Sequence, residues 1–219
     1  MAKLVIFGAG DIAKLAHYYL TRDTKHQVVA FTVDQQYAKA SSFLGLPLVD
    51  FAQVTKHYPP GDYKMFIALS YAKMNKVRAE KYRQAKTLGY ELVTYLSSMC
   101  SFLTDIPVGD NCFILEDNTI QPFVKIGNDV TLWSGNHIGH DSIIDDHCFV
   151  SSHVVVSGHV HIHEYCFLGV NATIHDSVRI APETLIGAGA VITNDTVERG
   201  VYVPERSRIL RKKSHEIDL

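Results

Sequence analysis

The chain has 219 residues, room for one large or two small domains, and its 47% hydrophobic content suffices for real cores. Acids and bases are interspersed at a net charge of −2, which argues against a nucleic-acid surface. No apolar run reaches membrane-spanning length, and the stretch from Met1 to Gly8 is too short to be a signal peptide, so a cytoplasmic location is expected.

The stretch from residue 1 to 96 alternates between two periodicities. Leu4-Val5-Ile6-Phe7 predicts a strand, Gly8-Ala9-Gly10-Asp11 a tight turn, and residues 12–20 a helix. A second strand covers residues 28–33 and ends at Asp34, and a third covers residues 65–69. A charged helix follows over residues 73–88, then a short strand at Glu91-Leu92-Val93. Strands alternating with helices predict a parallel, doubly wound sheet over residues 1–96. The first turn is close to the dinucleotide fingerprint Gly-x-Gly-x-x-Gly, with Ala13 in place of the third glycine. Such a turn lets backbone N–H groups at a helix start approach a phosphate.

From Val108 to Ile192 an aliphatic residue returns at every sixth position, fifteen times without a slip. Four residues after each stands a small or modest side chain, from Cys112 and Asn118 to Ala190 and Thr196. A period of six fits neither a helix nor a flat strand. It predicts a parallel β-helix in which equivalent residues stack coil upon coil and bury one another, about 1.5–3 kcal/mol for each aliphatic side chain. Cys112, Cys148 and Cys166 occupy the small-residue place, where a reduced thiol packs as a small hydrophobe. Apolar residues expected on the outside of the rod, Trp133, Val154 and Phe167, invite lateral packing.

This repeat resembles the left-handed β-helix acyltransferases, in which three hexapeptides form one triangular coil. The resemblance implies five coils over residues 97–200, with residues 201–219 as a tail. The combination with a small Rossmann-like domain is similar to the bacterial PglD/NeuD-type sugar acyltransferases. It implies transfer of an acetyl group from acetyl-CoA to an amino group of a nucleotide-linked sugar, in a homotrimer and without a metal. The residues do not name the sugar, the nucleotide or the acyl length. An O-acetyltransferase acting on a sugar of sialic acid type is the nearest alternative, and a non-catalytic nucleotide-sugar-binding partner is an alternative of another class.

Carried onto this chain, the resemblance assigns the nucleotide sugar to Gly8, Gly10, Asp11 and Asp34, with Ala68, Leu69 and Ser70 after the third strand. A Gly-His pair common in relatives is replaced here by Asp11-Ile12. Eight of the twelve histidines fall between residues 137 and 175. The segment Trp133-Ser134-Gly135-Asn136-His137-Ile138-Gly139-His140-Asp141 resembles the family's catalytic corner, which makes His140 the general base and Asp141 its orienter. His137, beside the same corner, is the nearest substitute for His140 and an expected substrate contact. Gly158, eighteen residues beyond His140, would offer its N–H to the thioester oxygen. Gly158, Gly169, Gly187, Ala188 and Arg206 are the expected coenzyme A contacts, although Val203-Pro204-Glu205-Arg206 departs from the Gly-Asn-Pro-Ala ending usual in the family. His147, His153 and His159 recur at the fourth place and are expected on three different sides, while His159, His161 and His163 alternate along one stretch. A metal site needs three or four convergent ligands, and none is assigned from the spacing.

Overall fold

A computed structural model describes residues 1–205, 207, 209, 211 and 213–217. The expected two-part architecture is present: a Rossmann-like sheet followed by a left-handed parallel β-helix. The first sheet has the strand order β3-β4-β2-β1-β5, built from β1 (Lys3–Phe7), β2 (Gln27–Val33), β3 (Ser42–Phe43), β4 (Leu46–Asp50) and β5 (Tyr63–Ile67). All its pairings are parallel except β3 with β4. Helix α1 (Asp11–Arg22) follows β1, a short α2 (Val54–His57) precedes β5, and α3 (Lys76–Thr87) follows it.

Three details differ from the sequence reading. The β3–β4 hairpin, turning through Leu44 and Gly45 at positive φ, has no counterpart among the elements expected from the sequence. The stretch 91–93 contributes only an isolated bridge between Leu92 and Met65. Helix α3 starts at Lys76 because Lys73, Met74 and Asn75 all have left-handed backbone.

The solenoid is a stack of two-residue strands whose partners are eighteen residues apart, as in Thr131↔Phe149 and His137↔Val155. They form three sheets. One of seven strands runs from Tyr95–Leu96 to Val201–Tyr202, one of six from Ser101–Phe102 to Val191–Ile192, and one of four from Lys125–Ile126 to Arg179–Ile180. The periodic aliphatic residues from Ile114 to Ile192 are all buried, together with the small residues at the fifth place. Val154 is among them at 0% exposure, so it cannot serve lateral packing. The four cysteines are free, and burial pushes the Cys112 thiol up to about 12.

A single feature sets the corners. Every fourth place from Asn111 to Gly189 has positive φ, and twelve of these residues are not glycine. Left-handed backbone costs an ordinary L-residue about 1–2 kcal/mol, least for Asn, Asp and His, which recur here as Asn111, Asp117, Asp129, Asp141, His147, His153, His159 and Asn171. Inside the corners, amide side chains satisfy backbone groups: Asn118 donates to the carbonyls of Leu115 and Trp133, and Val154 N–H donates to Asn136.

The seven-stranded sheet is covered by the N-terminal domain. Tyr95, Phe113 and Leu115 join Leu4, Ile6, Ala13, Phe31 and Phe66 in one core, with Trp133 packed against it. Phe167 stacks on Phe149 at 5.7 Å and meets Tyr71 at 4.8 Å, so Trp133 and Phe167 are turned inward to this domain contact. Polar contacts frame the junction. The buried Arg78 of α3 donates to Asp129 at 3.1 Å and to the carbonyls of Asp129, His147 and Cys148. Asp129 also accepts from Asn111 and pairs with His147 at 2.8 Å. At the other edge Tyr19 and Ser134 donate to Glu116, and Tyr95 and Ser98 to Asp23.

Candidate active site

The corner between the six-stranded and four-stranded sheets carries His140. Its neighbours in the stack, eighteen residues away in each direction, are Pro122 and Gly158, and Asp176 lies one coil further. His140 Nδ1 lies 2.9 Å from Asp141 Oδ2. A carboxylate can only accept, so Nδ1 carries the hydrogen and Nε2 keeps its lone pair. Nε2 faces Gly158: a β-carbon there would come within 2.7 Å of it. Gly158 is buried beneath the ring, and among the described residues its N–H makes no hydrogen bond. The imidazole itself is open, 52% exposed.

Two further residues contact His140, one at its backbone and one at its ring, and sequence reasoning missed both. Gln121 Oε1 accepts from His140 N–H at 2.9 Å. His159 meets the His140 ring edge to face, with centroids 5.0 Å apart. The signal for His159 was available, because it lies eighteen residues beyond Asp141 and so stacks on the same corner. As expected, His147, His153 and His159 lie on three different corners. His137 lies on the outward side of the six-stranded sheet, half-buried between Thr119 and Val155.

The remaining expected contacts lie elsewhere. Gly169, Gly187 and Ala188 share the corner between the seven-stranded and six-stranded sheets, so one chain does not bring them to Gly158. A β-carbon on Gly169 would lie 2.5 Å from Ala188 N, so coil stacking alone requires that glycine. Arg206 lies outside the described residues.

In the first domain a cleft of about 460 Å³ opens at the C-terminal ends of β1, β2 and β5, where the strand order switches sides. Gly8, Gly10, Asp34 and Leu69 line it, with Val77 and Lys81 from α3. Gly8 has φ +127°, and a β-carbon would meet the Ala68 carbonyl at 2.6 Å. Gly10 faces open space, as a residue under an approaching phosphate must. Asp34 is ion-paired with Lys81 at 2.6 Å. Ala68 is buried, and Asp11 and Ser70 lie outside the residues lining the cleft.

The class defined by this architecture is a hexapeptide-repeat β-helix with a Rossmann-like N-terminal domain. Residues 123–158 and 159–194 match the bacterial transferase hexapeptide (six repeats) model. A mutant perosamine N-acetyltransferase from Caulobacter crescentus, solved with CoA and GDP-perosamine, superposes with a TM-score of 0.81 at 24% identity, over 92% of this chain and 93% of that one. The acetyltransferase domain of PglB from Neisseria gonorrhoeae gives 0.79 at 19% identity, over 92% and 96%. WeeI from Acinetobacter baumannii gives 0.78 at 19%, over 96% and 100%. An acyl-[acyl-carrier-protein]–UDP-N-acetylglucosamine O-acyltransferase from Pseudomonas paraeruginosa is 30% identical over 99 residues, 42% of this chain and 38% of its own length. The chain therefore has the fold of perosamine N-acetyltransferase and of the PglB acetyltransferase domain, and its solenoid carries the bacterial transferase hexapeptide repeat.

Proposed function

We propose that the protein transfers an acetyl group from acetyl-CoA to the amino group of a nucleotide-linked sugar. The observation that carries this reading is the exposed His140 imidazole, oriented by Asp141 with Nε2 free above Gly158. The sugar amine attacks the thioester carbonyl while Nε2 takes its proton. The tetrahedral intermediate collapses, the C–S bond breaks, and the imidazolium returns the proton to the leaving thiolate. Asp141 stabilises the imidazolium between the two steps, and the Gly158 N–H is the donor for the oxyanion.

The acceptor's nucleotide belongs in the cleft of Gly8, Gly10 and Asp34, which supports the choice of a nucleotide-linked substrate. That domain covers the seven-stranded sheet, whereas His140 stands on the one corner that this sheet does not touch. The reading therefore requires a site shared between neighbouring copies, as a homotrimer provides. The outward Val155 and Val191 of the six-stranded sheet, 41% and 66% exposed, supply apolar surface for such packing. The same groove would bring Gly169, Gly187 and Ala188 of one copy to Gly158 of the next.

The test is release of CoA thiol from acetyl-CoA with GDP-, UDP- and dTDP-amino sugars, beside free sugar alcohols. Turnover with an amino sugar nucleotide, lost by orders of magnitude in a folded His140→Ala variant, is the expected result. Turnover only with a sugar hydroxyl would replace it by O-acetylation, and no turnover with any acceptor would leave a binding protein.

A further inference from the structure

On the four-stranded sheet, away from His140, a second group of side chains converges. His161 and His163 flank the inward Ile162, so both point outward from one extended segment. Asp145 lies one coil earlier, directly below His163 in the stack. Its Oδ2 is 2.9 Å from His161 Nε2 and 3.1 Å from His163 Nδ1, and the two rings are 3.9 Å apart. The three side chains are 31–34% exposed, open enough for entry from solvent.

We propose that Asp145, His161 and His163 bind one divalent transition-metal ion of the zinc class. Two imidazole nitrogens and one carboxylate oxygen match the donors that zinc prefers, and a fourth position faces solvent for water. Bonds of about 2.0–2.2 Å place tetrahedral ligand atoms roughly 3.3–3.5 Å apart. The Asp145 oxygen needs to open by only a few tenths of an ångström from its 2.9 and 3.1 Å contacts to reach that spacing, and all three ligand atoms already lie within 4.8 Å of one another. The backbone is preorganised: Asp145 N–H donates to Ile162 and His163 N–H to Ile180 across successive coils.

Among the described residues, His140, Asp141 and His159 form the other triad of this kind, but there Asp141 already holds His140 Nδ1, and the free Nε2 is the base of the proposed acyl transfer. The metal at Asp145 ties two coils together and takes no part in acyl transfer.

Chelator-stripped full-length protein is titrated with zinc chloride in competition with a chromophoric chelator. One equivalent per chain at micromolar or tighter affinity is expected, with zinc-edge X-ray absorption showing imidazole nitrogen together with oxygen. His161→Ala and His163→Ala should each weaken binding at least about tenfold, and the near-isosteric Asp145→Asn should do the same where an alanine variant fails to fold by circular dichroism. Substitution of the exposed His175 should change nothing. Absence of binding at micromolar zinc overturns the site, as does binding that survives the His161 and His163 substitutions. Loss of binding in His159→Ala with His161→Ala unaffected would place the ion on the other corner and overturn it equally.

Discussion

His140 Nε2 rests against the one face of Gly158 where any other residue would carry a β-carbon, 2.7 Å from that position. The backbone of Gly158 is not left-handed, so alanine fits it without strain and acts only by displacing the imidazole and pressing Asp176 Oδ1 at 3.1 Å. Gly158→Ala should fold normally and lose about 10²-fold in turnover, as misplacement of a reacting group by about 1 Å does. Steady-state kinetics beside a thermal melt checks this. Unchanged kcat would mean that the ring position does not matter.

Gly8 and Gly10 should respond in opposite ways. Gly8→Ala forces a left-handed-region residue against the Ala68 carbonyl and should destabilise the first domain outright. Gly10→Ala meets no atom within 4 Å, so stability should stay within about 0.5 kcal/mol. If the cleft holds a pyrophosphate, Gly10→Ala should still weaken nucleotide-sugar binding by about tenfold, because the added methyl stands where backbone must approach phosphate. Calorimetric titration of the folded variant reads the result directly.

Arg78 is 1% exposed and ties α3 to a solenoid corner. Arg78→Ala would leave Asp129 buried without its guanidinium and the carbonyls of Asp129 and His147 without their donor, while that of Cys148 keeps Thr131 N–H. A loss of about 3–5 kcal/mol is expected from urea unfolding. A loss below about 1 kcal/mol would show that His147 and Asn111 suffice to hold Asp129.

Acid should loosen the domain contact. Hydrogen bonds from Ser98 hold Asp23 below its ordinary range. Burial opposes ionisation of Glu116, but bonds from Ser134 and Tyr19 outweigh it, and Lys76 with Arg199 lowers Glu183. Each folded value is depressed, so this stabilisation is complete above the unfolded carboxylate range near pH 4 and is lost as pH falls through the folded values. Tyrosine fluorescence and limited proteolysis should stay constant from neutral pH to about 5 and change only below about 4. Ser98→Ala should move that change to higher pH.

The six-residue period made the rod readable from the sequence alone, because a stack of equivalent residues repeats its chemistry in the chain. The same arithmetic put Gly158 beside His140, and applied to Asp141 it would have found His159. Strand β4 escaped because Pro47 interrupts a short apolar run, and a proline argues against a strand until a partner without need of its N–H is known. Arg78 escaped for a different reason. Within a charged helix it looks like any solvated residue, and only the Asp129 carboxylate and the corner carbonyls of a distant segment make its burial possible. The outward placement of Val154 was an error of phase, since the fifth place points to the interior along the whole rod.

The left-handed residue at every corner also fixes how such a rod can change length. Losing one residue between two corners would turn each downstream aliphatic side chain to the surface and bring charged ones inside. Tolerated insertions and deletions should therefore come as whole turns of eighteen residues, or bulge outward as loops at a corner. Because the first domain is bolted to particular corners through Arg78 and Glu116, a turn removed between residues 159 and 176 would leave those fastenings in place while drawing the far end of the rod one step closer.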